Sequence, residues 1–314
     1  MAALYTVQEH EAIGAATAVA YSPFISVIVP VYNDAEPLRV LLGALAEQDY
    51  PHERFECVVI DNGSLEPIRI LDDLALDVRV LREDRPGSYA ARNRGIRAAR
   101  GDVLAFTDAD CIPRPDWLSR AAARLQTAAR PAIVGGKVEV FSARLASASV
   151  FEQHSLVNDL DQARYVSVYH FAATANLITT RAVFDQVGEF APTLFSGGDF
   201  EWGRRAWAVG VEQVFEEEAL VRHPTRTTWR ALAARNRRLI GGQYTLRLQA
   251  GQGMLAIMAL LGRMTWAGVK RSWHDPRLPT TASRLQVMAV DGALRFCQLC
   301  EVVRLWFGGQ PLRQ

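Results

Sequence analysis

The sequence predicts a doubly wound α/β sheet with a helical extension at its C-terminal end. Three observations predict it. Runs of β-branched residues of strand length alternate with segments of helical apolar period, an acid stands just after several of those runs, and the charge balance changes sign near Arg230.

Ile25 to Val31 (ISVIVPV), closed by Asn33-Asp34, suits a strand buried on both faces of a parallel sheet. Leu38, Leu41, Leu42 and Leu45 then recur at helical spacing over Leu38 to Gln48, and Tyr50-Pro51 ends that helix. Phe55 to Ile60 (FECVVI) is the second strand and runs into Asp61-Asn62-Gly63-Ser64, where Asn-Gly permits positive φ. Val78 to Arg82 is a third strand, Ala90 to Ala99 a helix, and Val103 to Thr107 (VLAFT) a fourth strand stopping at Asp108. Alternation at these lengths implies right-handed crossovers and a ligand site beyond the carboxyl ends of the strands. Asp34, Asp61 and Asp108 all fall there.

Further on, Pro115 to Thr127 reads as a helix, and Ile133 to Phe141 and Ala172 to Thr179 as strands. Thr228 to Leu248 is an Arg-studded helix. Gly251 to Val269 is apolar apart from Gln252, Arg263 and Thr265.

The chain has 314 residues, 49% hydrophobic and 22% charged, which excludes disorder, collagen and simple coiled coil. One large α/β unit with appended helices is expected: an N-terminal extension over residues 1–23, the α/β unit over 24–228 and a basic, partly apolar helical extension over 229–314. Glu9, His10 and Glu11 interrupt the apolar N-terminus and no basic stretch precedes them, so a cleaved signal peptide is not expected. Cys57, Cys111, Cys297 and Cys300 are too few and scattered for a disulfide framework, which points to the reducing cytoplasm. Cys297 and Cys300 have redox spacing, but their apolar flanks place them in a core or on a membrane face.

From Arg230 onward, 13 Arg and Lys face only Asp275, Asp291 and Glu301, a net charge of +10 within a chain total of +1, so the first 229 residues carry −9. A segment so basic calls for an anionic partner or a solvated helical face. Arg263 inside the apolar stretch and Lys270-Arg271 after it fit a helix lying in a membrane interface better than one spanning it, and Trp266, Trp273 and Trp306 suit the same place. Peripheral association with the inner face of the cell membrane, on anionic lipid, follows as an expectation. Packing against the α/β unit, or a dimer interface, competes with it.

Three carboxylates at strand ends converge on one edge of such a sheet. Each can accept hydrogen bonds from a base or ribose, or hold a divalent cation that bridges two phosphates. Asp108-Ala109-Asp110 suits the ribose and cation roles, although an Asp-x-Asp by itself is as readily a helix cap or turn.

Taken together, the motifs resemble family 2 inverting glycosyltransferases of the A-type nucleotide-sugar fold. ISVIVPVYND (Ile25 to Asp34) is similar to the family's opening strand and loop, VVIDNGS (Val58 to Ser64) to its second, GSYAARNRG (Gly87 to Gly95) to its Arg-Asn helix, and Asp108 to Asp110 to its metal motif. Asn176, Val187 to Phe190 and Gly198-Asp199-Phe200-Glu201 through Arg205 resemble its acceptor-side motifs. The likeness runs from Ile25 to His223. It implies a Rossmann-like, mostly parallel sheet, with Pro30, Tyr32 and Asp34 lining the nucleotide pocket, Asp61 binding the base and Arg92 near the nucleotide. Asp108 would contact ribose or sugar, and Asp110 would hold Mn²⁺ or Mg²⁺ on the diphosphate. For Arg92 a surface helix charge is the competing reading.

The family's acceptor motif usually reads Glu-Asp, and here it reads Gly198-Asp199. The resemblance assigns Asp199 as the general base that deprotonates the acceptor hydroxyl in a single inverting displacement. Gly198 then allows a mobile loop or close acceptor approach, Glu201 and Trp202 shape the acceptor site, and Arg205 holds a carboxylate. A helical ion pair between Glu201 and Arg205 competes with those last roles. His223 would sit by the diphosphate or metal, or else be a satisfied structural histidine. Arg235, Arg237 and Arg238 resemble the basic segment that faces pyrophosphate or acceptor phosphate.

The function implied is transfer of a sugar from a nucleotide diphosphate donor, UDP-linked by preference, to a hydroxyl of a glycan or lipid-linked glycan. The alternative is a catalytically degenerate sugar-nucleotide-binding or scaffold protein, which the glycine at residue 198 keeps open. A sugar nucleotidyltransferase would need a Gly-rich basic loop where PVYNDAEP stands, and a NAD enzyme a Gly-x-Gly-x-x-Gly turn. A nucleic-acid binder would leave the strand-end acids idle.

Overall fold

The computed structural model describes residues 22–70, 74–128, 130–143, 147–158 and 160–312. The expected N-terminal extension, 1–23, lies outside the described residues but for its last two.

The opening strands form where the β-branched runs stand: β1 (Ile25–Val31), β2 (Phe55–Asp61), β3 (Val78–Arg82) and β4 (Val103–Thr107). Between and after them come α1 (Ala35–Ala46), α2 (Ser88–Ala98) and α3 (Trp117–Gln126). A two-residue strand β5 (Ile112–Pro113) precedes α3, and β6 (Ala132–Phe141) follows it. The chain continues through α4 (Val150–Asn158), α5 (Gln162–Arg164), β7 (Asn176–Thr180), α6 (Arg181–Val187), α7 (Gly198–Ala208) and β8 (Glu212–Pro224). It ends in α8 (Trp229–Gln249), α9 (Met254–His274) and α10 (Thr281–Trp306).

These strands make one eight-stranded sheet in the order β3-β2-β1-β4-β7-β6-β8-β5. The half built from β3, β2, β1 and β4 is parallel, with Val31 opposite Asp61 at its carboxyl edge. Beyond β4 the sheet is mixed, because β7 runs antiparallel to both β4 and β6, and β5 antiparallel to β8, while β6 and β8 are parallel. The expectation of a mostly parallel sheet therefore holds for the nucleotide-side half.

Alternation along β1 explains the layering. Val27 and Val29 point into a core completed by Leu38, Leu41, Leu42 and Leu45 of α1 and by Trp117, Leu118 and Ala121 of α3. Ile28 points to the other face, where Ile96 of α2, Phe184 of α6, Phe190 and Trp202 of α7 fill the second core. The last three helices pack mainly on one another through Ile240, Tyr244, Ile257, Leu261, Val302 and Leu305.

Two buried polar centres hold strands in register. Glu56, fully buried in β2, accepts from Ser26 of β1 at 2.6 Å, from Arg79 of β3 and from Arg100 and its backbone N–H. Asn176 accepts from the Trp117 indole at 2.9 Å and donates to the carbonyls of Lys137 and Ala219, tying β6, β7, β8 and α3 together. Its amide is wholly occupied by structure.

Candidate active site

The loops after β1, β2 and β4 deliver the expected acids to one edge. Asp34 stands at the N-cap position of α1 with no side-chain bond to the helix, and its carboxyl pKa is raised, first through desolvation and then through the negative charge of Asp110. Pro30 and Tyr32, both half-buried, flank the end of β1. Asp61 is buried, accepting from the Ser64 N–H at 2.8 Å and pairing with Arg82 at 3.3 Å. Nearby, the Asn62 side chain accepts from the Gly87 N–H and donates to the carbonyls of Glu83 and Arg85. Gly87, at φ 122°, supplies a turn that a side chain would strain, and so starts α2 where its basic face meets the strand ends.

From α2, Arg92 is nearly buried and reaches Asp108 at 2.5 Å. Its guanidinium also lies 5.5 Å from the centre of the Tyr89 ring. This excludes a solvated surface role for Arg92. Tyr89 in turn donates to Asp199 Oδ1 at 2.9 Å. Burial, and then the charge of Asp199, push the Tyr89 phenol well above its ordinary pKa, so it stays a donor. Sequence reasoning missed Tyr89, although it stands in the Gly87-Ser88-Tyr89 stretch; only its packing across 110 residues marks it.

That packing accounts for the glycine at residue 198. A Cβ there would lie 2.8 Å from two carbons of the Tyr89 ring. The ring fills the place of the expected first acid, and its hydroxyl reaches the second. Asp199 itself sits in the first turn of α7; Oδ1 also accepts from the Phe200 N–H at 2.9 Å, whereas Oδ2 has only a long approach from the Thr174 N–H at 3.4 Å. Desolvation raises its pKa against the lowering effects of Tyr89 and Arg92. A carboxylate with one oxygen anchored and the other weakly engaged is suited to accepting a proton.

Asp108, Asp110, Cys111 and His223 each offer one donor atom, all within 4.8 Å of one another. His223, nearly buried on β8, has Nδ1 2.8 Å from the Pro224 carbonyl, which fixes the proton on that nitrogen, and its Nε2 faces Asp110 at 3.7 Å. The Cys111 thiol is held well above its usual pKa, by burial first and then by Asp108 and Asp110, and so stays protonated. What is left is two carboxylates and one oriented imidazole, a set that fits a hard divalent ion such as Mn²⁺ or Mg²⁺.

Three expected acceptor residues are placed otherwise. Trp202 is fully buried against Phe184 and Phe190 and donates to the Gly188 carbonyl at 2.8 Å, so it cannot line an acceptor site by contact. Arg205 spends its guanidinium on Glu201 at 2.6 Å and on the carbonyls of Val187 and Glu189, which leaves no free edge for an acceptor carboxylate. Glu201 is its partner. Trp202 and Arg205 join α7 to the end of α6 and the residues after it, and Glu201, on the same helix, holds the Arg205 guanidinium in that position.

From α8, Arg238 lies close enough to Tyr89, Asp108 and Arg92 to feel their charges; burial, and then Arg235, lower its pKa. Arg237 faces the other way and pairs with Glu301 of α10 at 3.1 Å. The same helix packs against the turn that leads into Asp199, because a Cβ on Gly242 would lie 2.3 Å from the Ser196 carbonyl.

Against known proteins, the profile described as glycosyl transferase family 2 matches residues 26–188. Glycosyltransferase AglE of Haloferax volcanii is 34% identical over 212 residues, 65% of this chain and 68% of that protein. The pre-mycofactocin glycosyltransferase of Mycobacterium tuberculosis is 28% identical over 67% of this chain, which spans 45% of that protein's length. Among solved structures, the mannosyltransferase PcManGT from Pyrobaculum calidifontis, in complex with GDP-Man and Mn²⁺, superposes with a TM-score of 0.59 over 92% of this chain and 89% of its own, at 18% identity. That likeness gives the A-type nucleotide-sugar fold. With the family profile over more than half the chain and the strand-end acids in place, the chain belongs to glycosyl transferase family 2.

Proposed function

We propose that the protein is an inverting, metal-dependent glycosyltransferase that moves a sugar from a nucleoside diphosphate donor, UDP-linked in the first instance, to a hydroxyl of a glycan or lipid-linked glycan. Residues 24–228 form its catalytic unit and 229–314 its helical extension. The observation that carries the reading is the connected row of side chains from His223 and Asp110 through Asp108, Arg92 and Tyr89 to Asp199.

In this reading Pro30, Tyr32, Asp34 and Asp61 receive the nucleoside. Asp108 takes the ribose or sugar hydroxyls, and Arg92 sets the orientation of its carboxylate. Asp110 and His223 would hold the divalent ion, with Asp108 beside them; when bound, such an ion stabilises charge developing on the departing diphosphate. Arg238 adds a positive charge on the same side. Asp199 Oδ2 takes the proton of the acceptor hydroxyl while Oδ1 is held by Tyr89, and one base is enough for inversion.

The test is calorimetric titration of UDP, GDP and their sugars, with and without Mn²⁺, against wild type and Asp110→Ala. Metal-dependent binding of one diphosphate, lost in Asp110→Ala, supports the reading. Failure of every nucleotide would move the degenerate scaffold to the front.

A further inference from the structure

From residue 219 to 312 the chain shows solvent no acidic side chain. Its three acids there are buried and each is paired with arginine: Asp275 with Arg277, Asp291 with Arg295, and Glu301 with Arg237 and Arg304. The exposed surface of this region is therefore cationic or uncharged.

On α10 the exposed positions are all uncharged, and they are spaced to form one stripe. Leu285, Ala289, Ala293, Phe296, Cys300 and Val303 recur every three or four residues and fall on one face over about 27 Å of helix, and Phe307 follows just past its end. Phe296 is 67% exposed and Phe307 83%. On α9, Met258, Trp266 and Trp273 make a second exposed apolar row, beside which stand exposed Arg263 and Lys270. The opposite faces of both helices are spent on packing through Ile257, Leu261, Val302 and Leu305. A soluble helical pair would carry its charges outward and its aromatics inward; this pair keeps its acids inside and large apolar side chains outside. Among the described residues no helix is long and apolar enough to cross a membrane.

We propose that the outer face of α10, with the Trp266 and Trp273 edge of α9, lies on an anionic lipid bilayer, the aromatic rings entering the interface and Arg263 and Lys270 meeting the headgroups. Charge decides the occupant. A second copy docked on this face would bring like-charged Arg263 and Lys270 rows together with no acid to answer them, whereas an anionic bilayer supplies the missing negative charge. The sequence alone placed the interfacial segment at Gly251 to Val269; the structure moves the larger apolar face to α10. The proposal stands apart from the transfer chemistry, since none of these side chains touches the candidate active site.

The test is sedimentation of the full chain with vesicles of phosphatidylcholine alone and of phosphatidylcholine with phosphatidylglycerol. Binding is expected only to the mixed vesicles and should weaken as salt rises. Phe296→Asp with Phe307→Asp should lower the partition coefficient about a hundredfold, and Arg263→Gln and Lys270→Gln about fivefold each. These positions are exposed, and circular dichroism and nucleotide titration of the same variants check that folding and donor binding survive. Wild type that stays in the supernatant, a partition unchanged in the double aspartate variant, or a dimer that the same substitutions dissociate would each overturn the assignment.

Discussion

Tyr89 and Asp199 form a pair separated by 110 residues and joined by a 2.9 Å hydrogen bond, and the ring that delivers the hydroxyl also forbids a side chain at residue 198. The missing first acid of the motif and the extra phenol are thus one structural fact. The glycine makes room for Tyr89.

A base works deprotonated, so transfer should fall as pH drops through the pKa of Asp199, which desolvation raises above the ordinary aspartate range. The Tyr89 hydroxyl pulls that value down. Tyr89→Phe should therefore move the acid limb of the kcat/KM profile to higher pH, while Asp199→Asn should lower kcat about 10² to 10⁴-fold without weakening donor binding. An unmoved limb would remove Tyr89 from the proton step. The stability consequence has the opposite sense to activity: this carboxyl's contribution to folding is full below its unfolded pKa and is lost as pH rises through the folded one.

Gly198→Ala should cost about 1 to 3 kcal/mol in urea unfolding, because the new methyl meets the Tyr89 ring. Combined with Tyr89→Ala, the two costs should sum to less than their separate values, by about 0.5 kcal/mol or more. Strict additivity would mean that the ring simply swings aside.

Glu56→Leu should destabilise the fold by about 3 kcal/mol, since it leaves the buried Ser26 hydroxyl and the Arg100 N–H without their acceptor. Denaturant titration reads this directly. Nucleotide affinity measured well below the midpoint should not change, as Glu56 lies at the other end of its strand from Asp61.

Neighbours on α8 should behave differently. Arg238→Ala is expected to weaken diphosphate binding about tenfold, whereas Arg237→Ala should leave affinity intact and cost about 1 kcal/mol of stability through its lost pairing with Glu301. Titration calorimetry and thermal melts on the two variants separate the roles.

The first four strands and their acids were legible because each is a compact run whose β-branched pattern needs only local sequence to be read. Val78–Arg82 and Val103–Thr107 fall as expected. β8 was not legible. Its Glu216-Glu217-Glu218 run interrupts any apolar alternation, and those acids pair with Arg124, Lys137 and Arg114, each about 80 or more residues distant, while the strand steps past a bulge opposite Gly136 and Val138. Trp202 and Arg205 misled for a related reason: a motif gives neighbours along the chain, and whether a side chain faces ligand or core depends on α6, which the sequence did not declare. Arg92 could have gone either way until Asp108 was placed 2.5 Å from it.

The contact of Gly242 with the Ser196 carbonyl has a bearing on how the molecule comes apart. Composition changes near residue 229, which invites a cut there, but α8 is the floor beneath the turn that carries Asp199. Removing the last three helices would take away that packing, and Arg238 with it. A chain cut at that point would lose this support under the turn that leads into Asp199.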